Sequence, residues 1–300
     1  MSMFTGLSAF PLTPLRDDRI DEGAFVGLIE RLRSADVDSI TALGSTGSYP
    51  YLDRAERARV AGLAVEHAAG APVFVGVGDL RTSRVLHHID DAEAAGASGL
   101  LLPAMSYQRL TDDDVFELFR TATEHTELPV IVYDNPGTTH FSFSVELIGR
   151  VAALPGIGAV KIPSVPADPA AARERVDAVR AAVPADVAVG VSGDASAANG
   201  LNAGCDAWNS VIGGVLPAPA LEITRAAQEG RPAGAVAASE RLAPLWNLFA
   251  EFGGSIRVVA AIAELLGLVG ERSLPLPIRC LTVPQRTRVA EVVRELGLTA

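Results

Sequence analysis

Short apolar runs recur along this chain with helix-patterned stretches between them, and this alternation constrains the fold more than any other feature. The runs are Gly6 to Phe10, Ser39 to Leu43, Pro72 to Val77, Gly99 to Leu102, Pro129 to Tyr133, Ile157 to Lys161, Val187 to Val191 and Ala207 to Val211. Each is too short for a helix and is mostly apolar, as in a strand buried on both faces. Between them lie helical patterns. Val60, Leu63, Ala64 and His67 share one face, and Thr111-Asp-Asp-Asp114 supplies a capping box before Val115, Leu118, Phe119 and Ala122. Those aspartates are therefore read as helix-start residues at the positive end of a dipole, not as an acid/base pair.

Eight strand-helix units over about 230 residues predict an α/β fold, a (β/α)8 TIM barrel, with the active site at the C-terminal ends of the strands. An open doubly wound sheet is the alternative, but it does not need eight such units. After the eighth unit the strand pattern stops. Residues 231–300 read as a C-terminal helical appendage to a catalytic domain at 1–230, with helices at Ala233 to Glu251, Ile256 to Leu266 and Gln285 to Leu296.

The composition limits function by exclusion. A net charge of −11 argues against binding nucleic acid or an anionic membrane, both of which need clustered cations. The two cysteines, Cys205 and Cys280, form no CxxC pair, and no signal-peptide pattern or long uncharged apolar stretch occurs, so the expected location is the cytoplasm. The five histidines form no HExxH or His/Cys ligand set, and no metal is expected. His87 and His88 read as solvated helix residues, Trp208 and Trp246 as core or interface. Gly76-Val-Gly78 lacks the remaining glycine of a dinucleotide fingerprint, and Gly190-Val-Ser-Gly-Asp194 is not GxSxG.

Within this Arg-rich chain a single lysine survives, Lys161, near the end of the sixth run. A guanidinium cannot lose its proton near neutrality, whereas a buried ammonium can. A lysine with an ordinary pKa of about 10.4 is nucleophilic in roughly one molecule in a thousand at neutral pH, so attack on a carbonyl requires burial that lowers this value. A solvated survivor on a loop is the other reading of this stretch. If the barrel closes, Gly44-Ser-Thr-Gly-Ser48, Tyr133-Asp-Asn-Pro136, Lys161 and Ser192-Gly-Asp194 all meet at one mouth. There, successive N–H groups beyond Gly44 suit a carboxylate, and a tyrosine suits proton transfer.

These motifs, with Phe4-Thr-Gly6, Gly76-Val-Gly78 and the helical C-terminus, resemble the dihydrodipicolinate synthase and N-acetylneuraminate lyase family of Schiff-base-forming lyases. The resemblance runs nearly end to end. It implies that Lys161 forms an imine with pyruvate or another 2-oxo acid, that no cofactor beyond this covalent imine is needed, and that Tyr133 transfers protons. Ser45, Thr46 and Gly47 would hold the substrate carboxylate. Ser45 would also join a proton relay completed by Tyr107 of a neighbouring subunit, in a homo-oligomer, tetramer or dimer.

The chain departs from the family where the second substrate would bind. Dihydrodipicolinate synthases proper place an arginine where Thr138 stands, which disfavours that activity; Ser48 replaces a common glutamate, and the acidic pair of sialate lyases is reduced to Asp194 beside Ser196. The expected second pocket is Thr138, Thr139, His140, Ser192 and Asp194, suited to a smaller or hydroxylated aldehyde. A dehydratase or aldolase of 2-oxo-3-deoxy sugar acids is the close alternative, and a catalytically silent 2-oxo-acid-binding relative is another.

Overall fold

The computed structural model describes residues 2–299. Eight parallel strands close into a barrel: β1 (Gly6–Ala9), β4 (Ser39–Ala42), β5 (Val73–Gly76), β6 (Gly99–Pro103), β7 (Val130–Tyr133), β8 (Ile157–Ile162), β9 (Ala188–Ser192) and β10 (Ala207–Ser210). Each pairs with its neighbours in chain order, and β1 closes the ring against β10. All eight expected runs are strands, within a residue or two at their ends. Two strands are additional: β2 (Leu15–Arg16) and β3 (Arg19–Ile20) form an antiparallel hairpin around Asp17 and Asp18, both at positive φ. Two-residue strands carry no alternation, so no pattern in the sequence marks them.

The core has two compartments. Phe10, Phe74, Leu101, Ile131, Tyr133, Ala159 and Ala188 fill the barrel interior, and a larger shell lies between strands and helices. This division explains the mostly apolar runs, since both faces of each strand meet side chains.

Around the barrel run α1 (Glu22–Ser34), α2 (Arg54–His67), α3 (Thr82–Ala95), α4 (Asp112–His125), α5 (Pro136–Thr139), α6 (Val145–Ala152), α7 (Pro169–Ala182), α8 (Ala197–Asn202) and α9 (Pro217–Gln228). The capping box expected at Thr111 is present: Thr111 accepts from the Asp114 N–H, and Asp114 returns a bond to the Thr111 N–H. Asp53 and Glu56 cap α2 in the same way. His67 sits at the half-buried margin of its helix face, against Glu30.

Four further helices follow: α10 (Pro232–Arg241), α11 (Ala243–Glu251), α12 (Ser255–Leu265) and α13 (Val283–Glu295). The single helix expected from Ala233 to Glu251 is two, broken at Leu242. Pro244 lacks the N–H that would continue the ladder and instead occupies the first turn of α11. A second correction concerns His88, which is buried, with Nε2 3.2 Å from Asp79, beside the buried Arg57. His87 is exposed as expected. Cys205 and Cys280 are free thiols, and no described helix is long and apolar enough to cross a membrane.

Candidate active site

Strand register brings the two leading candidates together. Tyr133 on β7 is paired with Lys161 on β8, and Lys161 is paired with Gly190 on β9, so the three occupy one level of the barrel. Tyr133 points inward with the interior core, and Lys161 Nζ lies 4.1 Å from the centre of its ring. Phe10, beyond the end of β1, stands on another side, with its ring centre 5.7 Å from Nζ.

Lys161 is 4% exposed. Burial pulls its pKa down to about 7, against the opposing pull of the Asp194 and Asp134 carboxylates, which favour the ammonium. The two aromatic faces also favour a cation, yet desolvation prevails because no carboxylate or hydroxyl among the described residues hydrogen-bonds the amine directly. The amine is thus poised to lose its proton near neutrality.

The phenol of Tyr133 is held from two sides. Asn135 Nδ2 donates to its oxygen at 2.7 Å, and its hydroxyl is hydrogen-bonded to Ser45 Oγ at 2.9 Å. With Asn135 donating, the phenolic proton is directed toward Ser45. Burial pushes the Tyr133 pKa up, opposed by its hydrogen bonds to Ser45 and Asn135, so it is a protonated phenol at neutral pH. Asn135 lies inside the motif that singled out Tyr133, but nothing in its spacing shows that its amide turns back on the ring two residues earlier.

Ser45 belongs to the loop that leaves β4. Leu43 and Ser48 bracket this loop in left-handed conformations, and the Ser48 N–H closes it onto the Ser45 carbonyl at 3.1 Å. Two glycines permit the approach. A Cβ at Gly76 would lie 1.8 Å from the Leu43 carbonyl oxygen, and one at Gly44 would lie 2.5 Å from the Phe10 ring. Neither the Thr46 nor the Gly47 N–H has a partner among the described residues. Two open donors thus stand beside the Ser45 hydroxyl, the kind of N–H pair that suits an anion.

The expected second pocket assembles differently. Thr138 is exposed and its hydroxyl accepts from Asn135 Nδ2 at 2.8 Å; His140 is exposed at positive φ. Three others are hydrogen-bonded within the protein itself. Thr139 is buried and donates to the Asn135 carbonyl at 3.1 Å, and Ser192 donates to the Ile162 carbonyl at 2.7 Å. Asp194 is buried with both oxygens engaged, accepting from Trp208 Nε1 (3.1 Å), the Val211 N–H (3.1 Å) and the Ile212 N–H (2.7 Å). Burial raises its pKa to about 6 against those hydrogen bonds. Asp194 is therefore an anchor for the turn after β10, because four donors, the Ser210 hydroxyl included, converge on it from that one segment.

Besides Asn135, two site residues carry no role that the sequence assigns. Phe10 walls the amine, and Asp134 sits buried behind it, its N–H donating to the Lys161 carbonyl at 3.0 Å and its Oδ1 without a protein partner among the described residues. Burial raises the Asp134 pKa to about 6. Tyr107, assigned to a neighbouring subunit's site, is 90% exposed on the loop before α4.

Comparison with known proteins identifies the family and the fold. The model of the dihydrodipicolinate synthetase family matches residues 3–296. A 4-hydroxy-tetrahydrodipicolinate synthase of Gluconacetobacter diazotrophicus is 32% identical over 99% of this chain and 98% of its own. Among solved structures, a dihydrodipicolinate synthase from Agrobacterium tumefaciens superposes with a TM-score of 0.94 at 44% identity, covering 98% of each chain. A dihydrodipicolinate synthase from Aquifex aeolicus gives 0.89 at 26% identity, over 98% of this chain and 99% of that one.

Proposed function

The chain belongs to the dihydrodipicolinate synthetase family of aldolase-type lyases, and from that premise we propose that it captures pyruvate or another 2-oxo acid as an imine on Lys161. The observation that carries the reading is a lone lysine buried inside the barrel, its pKa brought to about 7, with a hydrogen-bonded phenol against it. The neutral amine attacks the ketone carbon, and the carbinolamine loses water as Tyr133 shuttles protons between the oxygen and Ser45. The resulting iminium draws electrons from the adjacent carbon. A proton leaves there to give an enamine, whose carbon bonds to an aldehyde carbon; the aldehyde oxygen takes a proton, and one water then hydrolyses the iminium and frees Lys161. The open N–H groups of Thr46 and Gly47 hold the carboxylate in line throughout.

Thr138 supports a partner other than the one bound by dihydrodipicolinate synthases proper. A hydroxyl already bonded to Asn135 cannot supply the bidentate clamp that a guanidinium gives a carboxylate. Tyr107, exposed at a loop tip, supports an oligomer in which one subunit completes its neighbour's proton relay.

Borohydride reduction in the presence of pyruvate, followed by intact mass and peptide mapping, tests the reading. One covalent adduct on Lys161, absent in Lys161→Ala, is the expected result. No adduct across a panel of 2-oxo acids leaves the silent, binding-only reading in its place.

A further inference from the structure

A cleft of about 500 Å3 opens beside the barrel mouth. One wall is Ser164 and Val165, three and four residues beyond Lys161; another is Gly193 to Ser196, just beyond β9. Val211, after β10, closes the base. The roof comes from the C-terminal helices, through Trp246 and Phe249 of α11, whose rings are 5.6 Å apart and tilted by 51°.

The chemistry of this lining is one-sided. Among the described residues, no lysine, arginine or histidine borders the cleft. Its one carboxylate, Asp194, already accepts hydrogen bonds at both oxygens. Ser196 Oγ donates to the Gly193 carbonyl at 3.0 Å, Asn199 Nδ2 to the Ala167 carbonyl at 2.9 Å, and Trp246 Nε1 to the Ser239 carbonyl at 3.0 Å. A ligand carboxylate placed here would lose its water and gain no cation, and of the lining hydroxyls a polyol would find only those of Ser164 and Ser255 without a protein partner among the described residues. Two aromatic rings and two valines offer apolar surface instead.

We propose that this cleft is the subsite for the second substrate and receives the uncharged, apolar tail of an aldehyde, aromatic or branched aliphatic. Trp246 and Phe249 are then the residues that determine specificity. The assignment rests on Lys161 as the imine-forming group, since the loops that wall the cleft are continuations of β8 and β9. The helical appendage, which contributes nothing to the catalytic amine or its phenol, thereby acquires a role in selecting the substrate.

The test uses the full chain with saturating pyruvate and three aldehydes: benzaldehyde, glyceraldehyde and succinate semialdehyde. The 4-hydroxy-2-oxo acid product is followed by mass spectrometry, and the Lys161 adduct is trapped in the same preparations. Benzaldehyde is expected to exceed the other two in kcat/KM by roughly tenfold or more, the discrimination an apolar pocket provides. Ala250→Phe and Ala195→Phe, which project a ring into the cleft from the exposed ends of opposite walls, are each expected to lower kcat/KM for benzaldehyde by about the same factor while the adduct is still trapped. An adduct accompanied by equal or greater activity toward glyceraldehyde or the semialdehyde overturns the cleft assignment alone. So does failure to turn over benzaldehyde, or full benzaldehyde activity in both filled variants. Absence of the adduct overturns the imine reading and the cleft assignment together.

Discussion

Lys161 and Tyr133 face each other because paired residues on adjacent parallel strands project to the same side of the sheet. What makes the pair chemical is its surroundings. The amine is dry, so its ammonium is disfavoured, while Asp194 and Asp134 limit how far its pKa falls. Attack on a carbonyl needs the neutral amine, and its fraction rises as pH climbs through about 7. The rate of imine formation is therefore expected to increase across that value and level off above it. Asp134→Asn removes one charge that favours the ammonium, so the acid limb should move to lower pH, with faster trapping than wild type below about pH 7. Stopped-flow measurement of pyruvate binding against pH checks both; an unmoved limb in Asp134→Asn would show that Asp134 does not act on the amine. Of these residues, Lys161 and Tyr133 were legible as types in suggestive places. Asn135, Phe10 and Asp134 were not, because their roles depend on side-chain directions that sequence spacing does not specify.

At the scale of elements, the turn after β10 illustrates how a polar residue near a mouth can be structural. Asp194 gathers an indole N–H, a hydroxyl and two backbone N–H groups into one buried carboxylate. Asp194→Ala would leave those donors in the interior without an acceptor, at about 1–3 kcal/mol for each buried group stranded. The expected loss is about 3 kcal/mol or more in urea denaturation, read from the midpoint at unchanged slope. A loss below about 1 kcal/mol would mean that the turn finds other partners. The sequence places Asp194 at the mouth, and only the structure shows that both of its oxygens are engaged there. The strands were read correctly for a different reason: an apolar run of the right length has few alternatives once helices flank it on both sides. The break at Leu242 was missed although Pro244 stood in the sequence, since proline is tolerated in a first turn and only packing decides whether it begins a helix or kinks one.

For the whole molecule, the exposed Tyr107 is the feature that a single chain leaves unused. If it completes a neighbour's relay, Tyr107→Phe and Tyr133→Phe should each be weakly active alone. Unfolding and refolding them together should restore part of the activity, because a mixed oligomer contains some sites with both tyrosines intact. Activity assays with oligomeric state followed by light scattering check this. No recovery in a demonstrated hybrid would confine each site to one subunit.

The sequence by itself determined the barrel, the lysine and its phenol, because strand periodicity is a local property and a sole lysine needs no context to be noticed. Only the tertiary structure decided which polar groups at the mouth are free. Ser192, Thr139 and Asp194 are bound to their own backbone, while the Thr46 and Gly47 N–H groups stay open. The physical reason is that hydrogen bonding in a dry interior is a competition among every donor and acceptor within reach. The winners are set by chain segments far apart in sequence that meet only when the ring closes.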